Sequence, residues 1–171
     1  CFFNFAQEKI PFIDIEEITL LATESSEKGD FEKTLEIFNR INKNDSIFGS
    51  VMISKSYYLM ALKKYEEAVK IANTGLKGNY GDLNASFHLN KSVALINQKK
   101  YNEADEALNE GIKSYPKNNL LWYNKGVSLE YQGKIEQAIE AYKTAIVLNP
   151  FYKKAFLQLG NLCYKQERIS Q

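Results

Sequence analysis

The sequence predicts an all-α chain of antiparallel helical hairpins stacked in a row. Residues 120–150 show why. Trp122, Gly126 and Leu129 recur at helical spacing on one face of a first segment. Ile135, Ala138, Ile139, Tyr142, Ala145 and Ile146 make an apolar stripe on a second. Gly133 between them can take the left-handed conformation that ends a helix, and Pro150, with no N–H to donate, stops the next. The second observation is recurrence. Shifted back by 34 residues, Trp122, Gly126, Leu129, Ala138, Tyr142 and Pro150 fall on His88, Ser92, Leu95, Ala104, Leu108 and Pro116. Shifted forward, the first three fall on Phe156, Gly160 and Cys163. The third is continuity, since no linker or low-complexity stretch separates these segments.

The ordered set of a large aromatic, Leu-Gly, an Ala, an aromatic and a Pro at this period resembles the tetratricopeptide repeat (TPR). Lys91 and Lys125 stand in the usual Leu place and His88 replaces the aromatic, whereas Leu159 restores the Leu. The resemblance implies a right-handed superhelical solenoid of four repeats plus the first helix of a fifth.

Taken in order, residues 1–13 are a lead-in. Cys1 to Ala6 is apolar and ends in a small residue before polar Gln7, like the tail of a secretory signal peptide cut after Ala6. The alternative is an apolar segment packing on the first helix. Pro11 opens the folded part and Asp14 is the expected N-cap. The array spans 14–171, in units 14–48, 49–82, 83–118, 119–151 and a partial 152–171. The first unit has Ile18 in the aromatic slot and no closing Pro, as befits a degenerate cap. In the second, Ala68 lies 36 residues before Ala104, so two extra residues fall in the loop over 77–82. Nine helices are expected, near 14–28, 31–43, 49–62, 65–77, 83–98, 101–114, 119–132, 135–148 and 152–167. Gln166 to Ile169 fall 34 residues after Gln132 to Ile135. That predicts the turn of the fifth unit at this point, in an array that continues past Gln171.

Bulk properties narrow the function classes. With 171 residues, 44% of them hydrophobic, the chain can bury a core. A net charge of +1 supplies no basic field for nucleic acid. No apolar run approaches the roughly 20 residues that span a bilayer. Two cysteines at opposite ends make no disulfide framework, and one histidine leaves little metal or acid/base chemistry. No zinc, phosphate-loop or nucleophile motif is present. His88 occupies the slot of a packing aromatic, and Cys163 that of a packing Leu or Tyr, so both read as core residues. Neighbouring carboxylates such as Glu66 and Glu67 read as solvated outer faces. The chain is therefore expected to be no enzyme and to hold no cofactor or metal.

What remains is surface. The TPR resemblance implies that the first helix of each unit lines a concave groove. Two residues past the aromatic slot, Ser54, Asn90, Asn124 and Gln158 would then form a polar column facing it. An amide both donates and accepts, which suits gripping an extended backbone. Beside the column stand Ile53, Tyr57, Leu89, Val93, Tyr123, Val127, Tyr131 and Tyr164, the aromatics giving contact area at low entropy cost. The competing reading is that the amides bridge neighbouring helices. One TPR subclass clamps the carboxylate of chaperone tails with Lys, Asn, Asn, Lys and Arg. In the best register those places hold Leu89, Val93, Asn124, Lys154 and Gln158, and only Asn124 and Lys154 fit. Lacking two of the three cations, the groove is not expected to hold a terminal carboxylate.

The expected function is a protein–protein interaction scaffold that takes a partner peptide or helix in the groove. The alternative is the regulatory or sensor region of a larger signalling enzyme whose catalytic domain lies outside this chain. RNA binding ranks last, because the groove has almost no basic side chains. Self-association through the partial fifth repeat is a further expected contact. Richness in Lys, Asn and Ile suggests an AT-rich bacterial genome. If Cys1 to Ala6 ends a signal peptide the protein is exported or periplasmic, and otherwise cytoplasmic.

Overall fold

The computed structural model describes residues 14–169, with side chains through Gln166. The signal-peptide reading of Cys1 to Ala6 and the opening at Pro11 lie outside the described residues. The chain divides into two compact units with the break after Phe48.

The first unit holds one hairpin, α1 (Ile15–Glu27) and α2 (Phe31–Phe38). Asp14 caps α1, its carboxylate accepting from the Glu16 N–H at 3.1 Å, and Asp30 does the same for Lys33 in α2. Ile18 and Ala22 of α1 and Leu35 and Ile37 of α2 are buried. Helix α2 ends at Phe38, five residues short of the expected 43. Asn39 caps it, and the Asn42 N–H bonds the Asp45 carboxylate at 2.6 Å. Short polar side chains here offer the backbone partners that compete with another helical turn.

The second unit comprises α3 (Phe48–Ala61), α4 (Tyr65–Leu76), α5 (Leu83–Asn97), α6 (Tyr101–Ser114), α7 (Asn119–Tyr131), α8 (Ile135–Leu148) and α9 (Lys153–Ile169). No strand occurs among the described residues. From α4 to α9 each helix packs on the next, and α5 also packs on α7, the next first helix along.

Every hairpin turn uses the same closure. The N–H of residues 30, 64, 100 and 134 reaches back to the carbonyl of Ser25, Leu59, Leu95 and Leu129, with the preceding residue left-handed. This is a Schellman cap. Gly29 and Gly133 supply the positive φ in two turns, but Lys63 (φ 60°) and Lys99 (φ 62°) do so in the others.

The hairpin core lies where the repeat pattern puts it. Ala68, Ala104, Ala138, Leu108 and Tyr142 are fully buried. Gly126 admits the Tyr142 ring, since a Cβ there would stand 2.5–2.6 Å from two ring carbons. Trp122 is only half-buried; its indole N–H donates to the Pro116 carbonyl at 2.9 Å, and Leu121 is the residue sealed inside.

The turn expected at Gln166 to Ile169 is not formed, and α9 runs as one helix to Ile169. Glu167 stands where Gly133 provides the left-handed residue of the previous unit, so the period alone carried that expectation.

Candidate partner-binding face

The polar column comes from equivalent positions of α3, α5, α7 and α9, and the structure shows what holds each amide. Asn90 of α5 donates through Nδ2 to the Ile53 carbonyl at 3.1 Å and to the Ser56 hydroxyl, both on α3. It therefore bridges adjacent first helices, as the competing reading anticipated. Asn124 donates to the Leu120 carbonyl of its own helix at 2.8 Å. Gln158 bonds the Tyr123 hydroxyl. Ser54 is half-buried.

The aromatics expected beside the column divide into packed and open. Tyr123 is half-buried, 5.7 Å from the Tyr142 ring and edge-on to Tyr152 at 5.1 Å. Burial pushes its hydroxyl above the ordinary tyrosine range despite the bond to Gln158. It belongs to the core around Leu129, Ala138 and Tyr142 more than to an open face. Val93 is half-buried. Tyr57 and Tyr164 are about 60% exposed. Tyr131 is exposed too, but it ends α7 and stacks flat on Tyr101 at the start of α6, with centroids 5.6 Å apart. Its place is beside the hairpin turns.

Two polar groupings carry the electrostatics. The Tyr142 hydroxyl donates to Glu130 at 2.9 Å, and burial with that carboxylate beside it drives its deprotonation far above the normal range. Asp105 of α6 receives the Ser128 hydroxyl at 2.7 Å and the Gln132 amide at 3.0 Å, with the Lys125 ammonium 3.3 Å away. Both side chains of that ion pair are about 15% exposed. This network explains a lysine in the Leu place of the fourth repeat, and sequence reasoning missed it. The available signal was an Asp twenty residues before that Lys, beside Ala104 of the previous hairpin.

His88 is 9% exposed and packs against the Gly111 position, and its Nδ1 is buried without a hydrogen-bond partner among the described residues. Burial lowers its pKa below the ordinary histidine value. Cys163 is a half-buried free thiol. No group of His, Cys, Asp and Glu suited to a metal occurs among the described residues, and none of their helices is long and apolar enough to cross a membrane.

Two family models, each described as a tetratricopeptide repeat, match residues 85–118 and 120–152. They are the α5/α6 and α7/α8 hairpins. These two hairpins are tetratricopeptide repeats. No curated protein matches it in sequence. Among solved structures, MamA residues 41 to the end from Desulfovibrio magneticus RS-1 is similar to this TPR chain with a TM-score of 0.69. The identity is 21%, over 89% of this chain and 85% of that one. The first TPR of Spaghetti (RPAP3), bound to the HSP90 peptide SRMEEVD, gives a TM-score of 0.63 at 20% identity, over 72% and 96%. The Arabidopsis OM64 TPR domain gives 0.61 at 21%, over 68% and 95%. At these identities the likeness establishes a TPR solenoid and nothing narrower.

Proposed function

We propose that this TPR chain is a non-enzymatic scaffold that binds a segment of a partner protein along the face of its first helices, α3, α5, α7 and α9. The observation that carries the reading is the state of the amide column. Asn90 spends its Nδ2 on the Ile53 carbonyl and the Ser56 hydroxyl, and Asn124 spends one Nδ2 hydrogen on the Leu120 carbonyl, so the reading assigns their Oδ1 atoms to a guest. The column thus presents acceptors at repeat spacing, suited to the backbone N–H groups of an extended guest. A related fold holds a peptide ending in acidic residues, but here the clamp places carry Leu89 and Val93 and the Lys154 side chain is exposed. An acidic tail is accordingly not the expected guest.

Asn124 is the clean probe, because its bond stays within one turn of its own helix. On a peptide array followed by anisotropy titration, Asn124→Ala should weaken the best peptide about five-fold, the equivalent of ~1 kcal/mol for one hydrogen bond. Its thermal transition should stay unchanged, and binding should vary little with salt, since the column has no cation. A variant that binds every peptide as tightly as wild type would refute the proposal.

A further inference from the structure

A cleft of about 410 Å³ runs along the α7/α8 hairpin. Trp122, Leu129 and Ala141 line its apolar part, and Glu136 and Glu140 stand at its exposed rim. Lys125, which Asp105 of α6 holds at 3.3 Å, forms one wall. One repeat earlier the equivalent apolar floor is covered. There Val69 of α4 packs on the cluster of Leu95, Ala104 and Ala107, which Leu129, Ala138 and Ala141 repeat. Asp105 takes the place of Val69 in α6, and its carboxylate turns to Ser128, Gln132 and Lys125 instead. The apolar side chains packed around Leu129, Ala138 and Ala141 come from α7, α8 and α9. The space is open because of that exchange, with α6 already in place beside it.

The lining selects a cationic head on an apolar stem. Two carboxylates face one ammonium, and that ammonium is already neutralised by Asp105. Glu140 pairs with Lys143 at 2.8 Å, but both ends are exposed, and such pairs are weak and readily exchanged. Glu136 receives the Gln166 amide at 3.4 Å and has no cation partner among the described residues. The indole of Trp122 is anchored by its N–H on the Pro116 carbonyl, so its ring is a fixed platform. We propose that this cleft binds an arginine side chain of a partner protein. The guanidinium lies over the Trp122 ring and pairs with Glu136, while its methylenes cover Leu129 and Ala141. Arginine suits the site better than lysine, because its weakly hydrated plane stacks on a ring and offers a carboxylate two N–H groups. No residue of the amide column lines the cleft, so the failure of either proposal leaves the other standing.

Trp122 is the chain's single tryptophan, so its fluorescence and its indole N–H resonance report on this cleft directly. The probes are capped tripeptides carrying arginine, lysine or citrulline between two alanines, citrulline being the neutral isostere of arginine. The arginine peptide should shift the indole resonance saturably, with a millimolar dissociation constant. The lysine peptide should bind about three-fold more weakly and the citrulline peptide about ten-fold. High salt should weaken the arginine peptide several-fold, unlike a guest of the amide column. Glu136→Gln, at the exposed rim, should weaken it about three- to five-fold. Ala141→Leu should fill the cleft and abolish the shift, both variants keeping the far-UV circular dichroism of wild type. No saturable shift with the arginine peptide would overturn the proposal. So would citrulline bound as tightly, which marks an apolar slot, or lysine bound as tightly, which marks charge pairing without the indole. Unchanged arginine binding in Glu136→Gln would overturn it as well.

Discussion

Gly126 and Gly160 occupy the same place in successive repeats, and substituting each by alanine should move stability in opposite directions. At Gly126 the new methyl would sit 2.5 and 2.6 Å from two carbons of the Tyr142 ring. That ring has no exposed surface and is tied by its hydroxyl to Glu130, so it cannot swing aside. Overpacking of a fixed core residue costs about 1–3 kcal/mol. Alanine recovers up to ~1 kcal/mol of helix propensity, leaving a net loss of up to about 2 kcal/mol. At Gly160 there is no atom to meet, so only the propensity gain of ~0.8–1 kcal/mol remains. Both variants share that gain, so the gap between them is the overpacking cost itself, about 1–3 kcal/mol. At ~2–4 °C per kcal/mol for a chain of this size, that gap separates their midpoints by roughly 2–12 °C. Thermal unfolding followed at 222 nm, at a concentration too low for self-association, reads it directly. Equal shifts of the same sign would mean that Tyr142 does not fill the Gly126 notch, and the repeat register would fall with it.

Three further outcomes follow from buried groups and turns. His88 has a folded pKa below its unfolded value, so the unfolded chain binds the proton more readily. Its contribution to stability is present above about pH 6.5 and lost as pH falls from there toward the folded pKa. Denaturation midpoints at pH 7.5 and 5.5 should accordingly differ less in His88→Phe than in wild type, and an identical difference would argue against the buried ring. Lys99→Gly should raise the urea midpoint by the equivalent of ~0.5 kcal/mol, relief of the left-handed strain exceeding the added unfolded-state entropy; Gln98→Gly, at φ −81°, should lower it. Asp105→Ala should cost roughly 2–4 kcal/mol, because Lys125 is left largely buried without its counter-charge, while Lys125→Met should cost much less if the position tolerates the apolar residue usual there.

Legibility in the sequence followed the range of the interaction. The hairpins were readable because Gly126, Ala138 and Tyr142 meet within about sixteen residues of one another, at spacings that the helix period dictates. Most helix ends were readable for the same reason, since Asp14 and Gly133 act within one turn. Failures came where residues of unlike type performed the same task. Lys63 and Lys99 take the left-handed turn position that only a glycine advertises. The extension of α9 through position 167 is the converse, a turn inferred from period alone without its glycine. The site fared worse. Spacing placed Asn90 and Asn124 at equivalent positions, but the partner of each amide depends on whether the preceding helix offers an acceptor. Ser56 and the Ile53 carbonyl do so for Asn90, while Asn124 turns back to Leu120. Tyr123 was assigned to the surface because the identity of Tyr152, its edge-on neighbour from the next loop, has no counterpart in the repeat pattern.

The same contrast explains why two successive hairpin joints are not equivalent. Between α5/α6 and α7/α8, Asp105 gathers Ser128, Gln132 and Lys125 into a satisfied network. One repeat earlier the matching residues are Val69, Ala94, Gln98 and Lys91. Val69 packs against the Leu95, Ala104 and Ala107 cluster, as an apolar residue should. The Gln98 amide is nevertheless retained, with Nε2 and Oε1 both buried and no protein partner. A polar group kept after its acceptor has gone costs about 1–3 kcal/mol relative to a paired one, so this earlier joint is the weaker of the two. Asn90 crosses that same joint, holding α5 to α3. Its amide therefore serves the stack as well as the face, and Asn90→Ala should lower stability and binding together. Asn124 spans no joint, which is why a loss of binding there, with the transition unmoved, separates recognition from architecture.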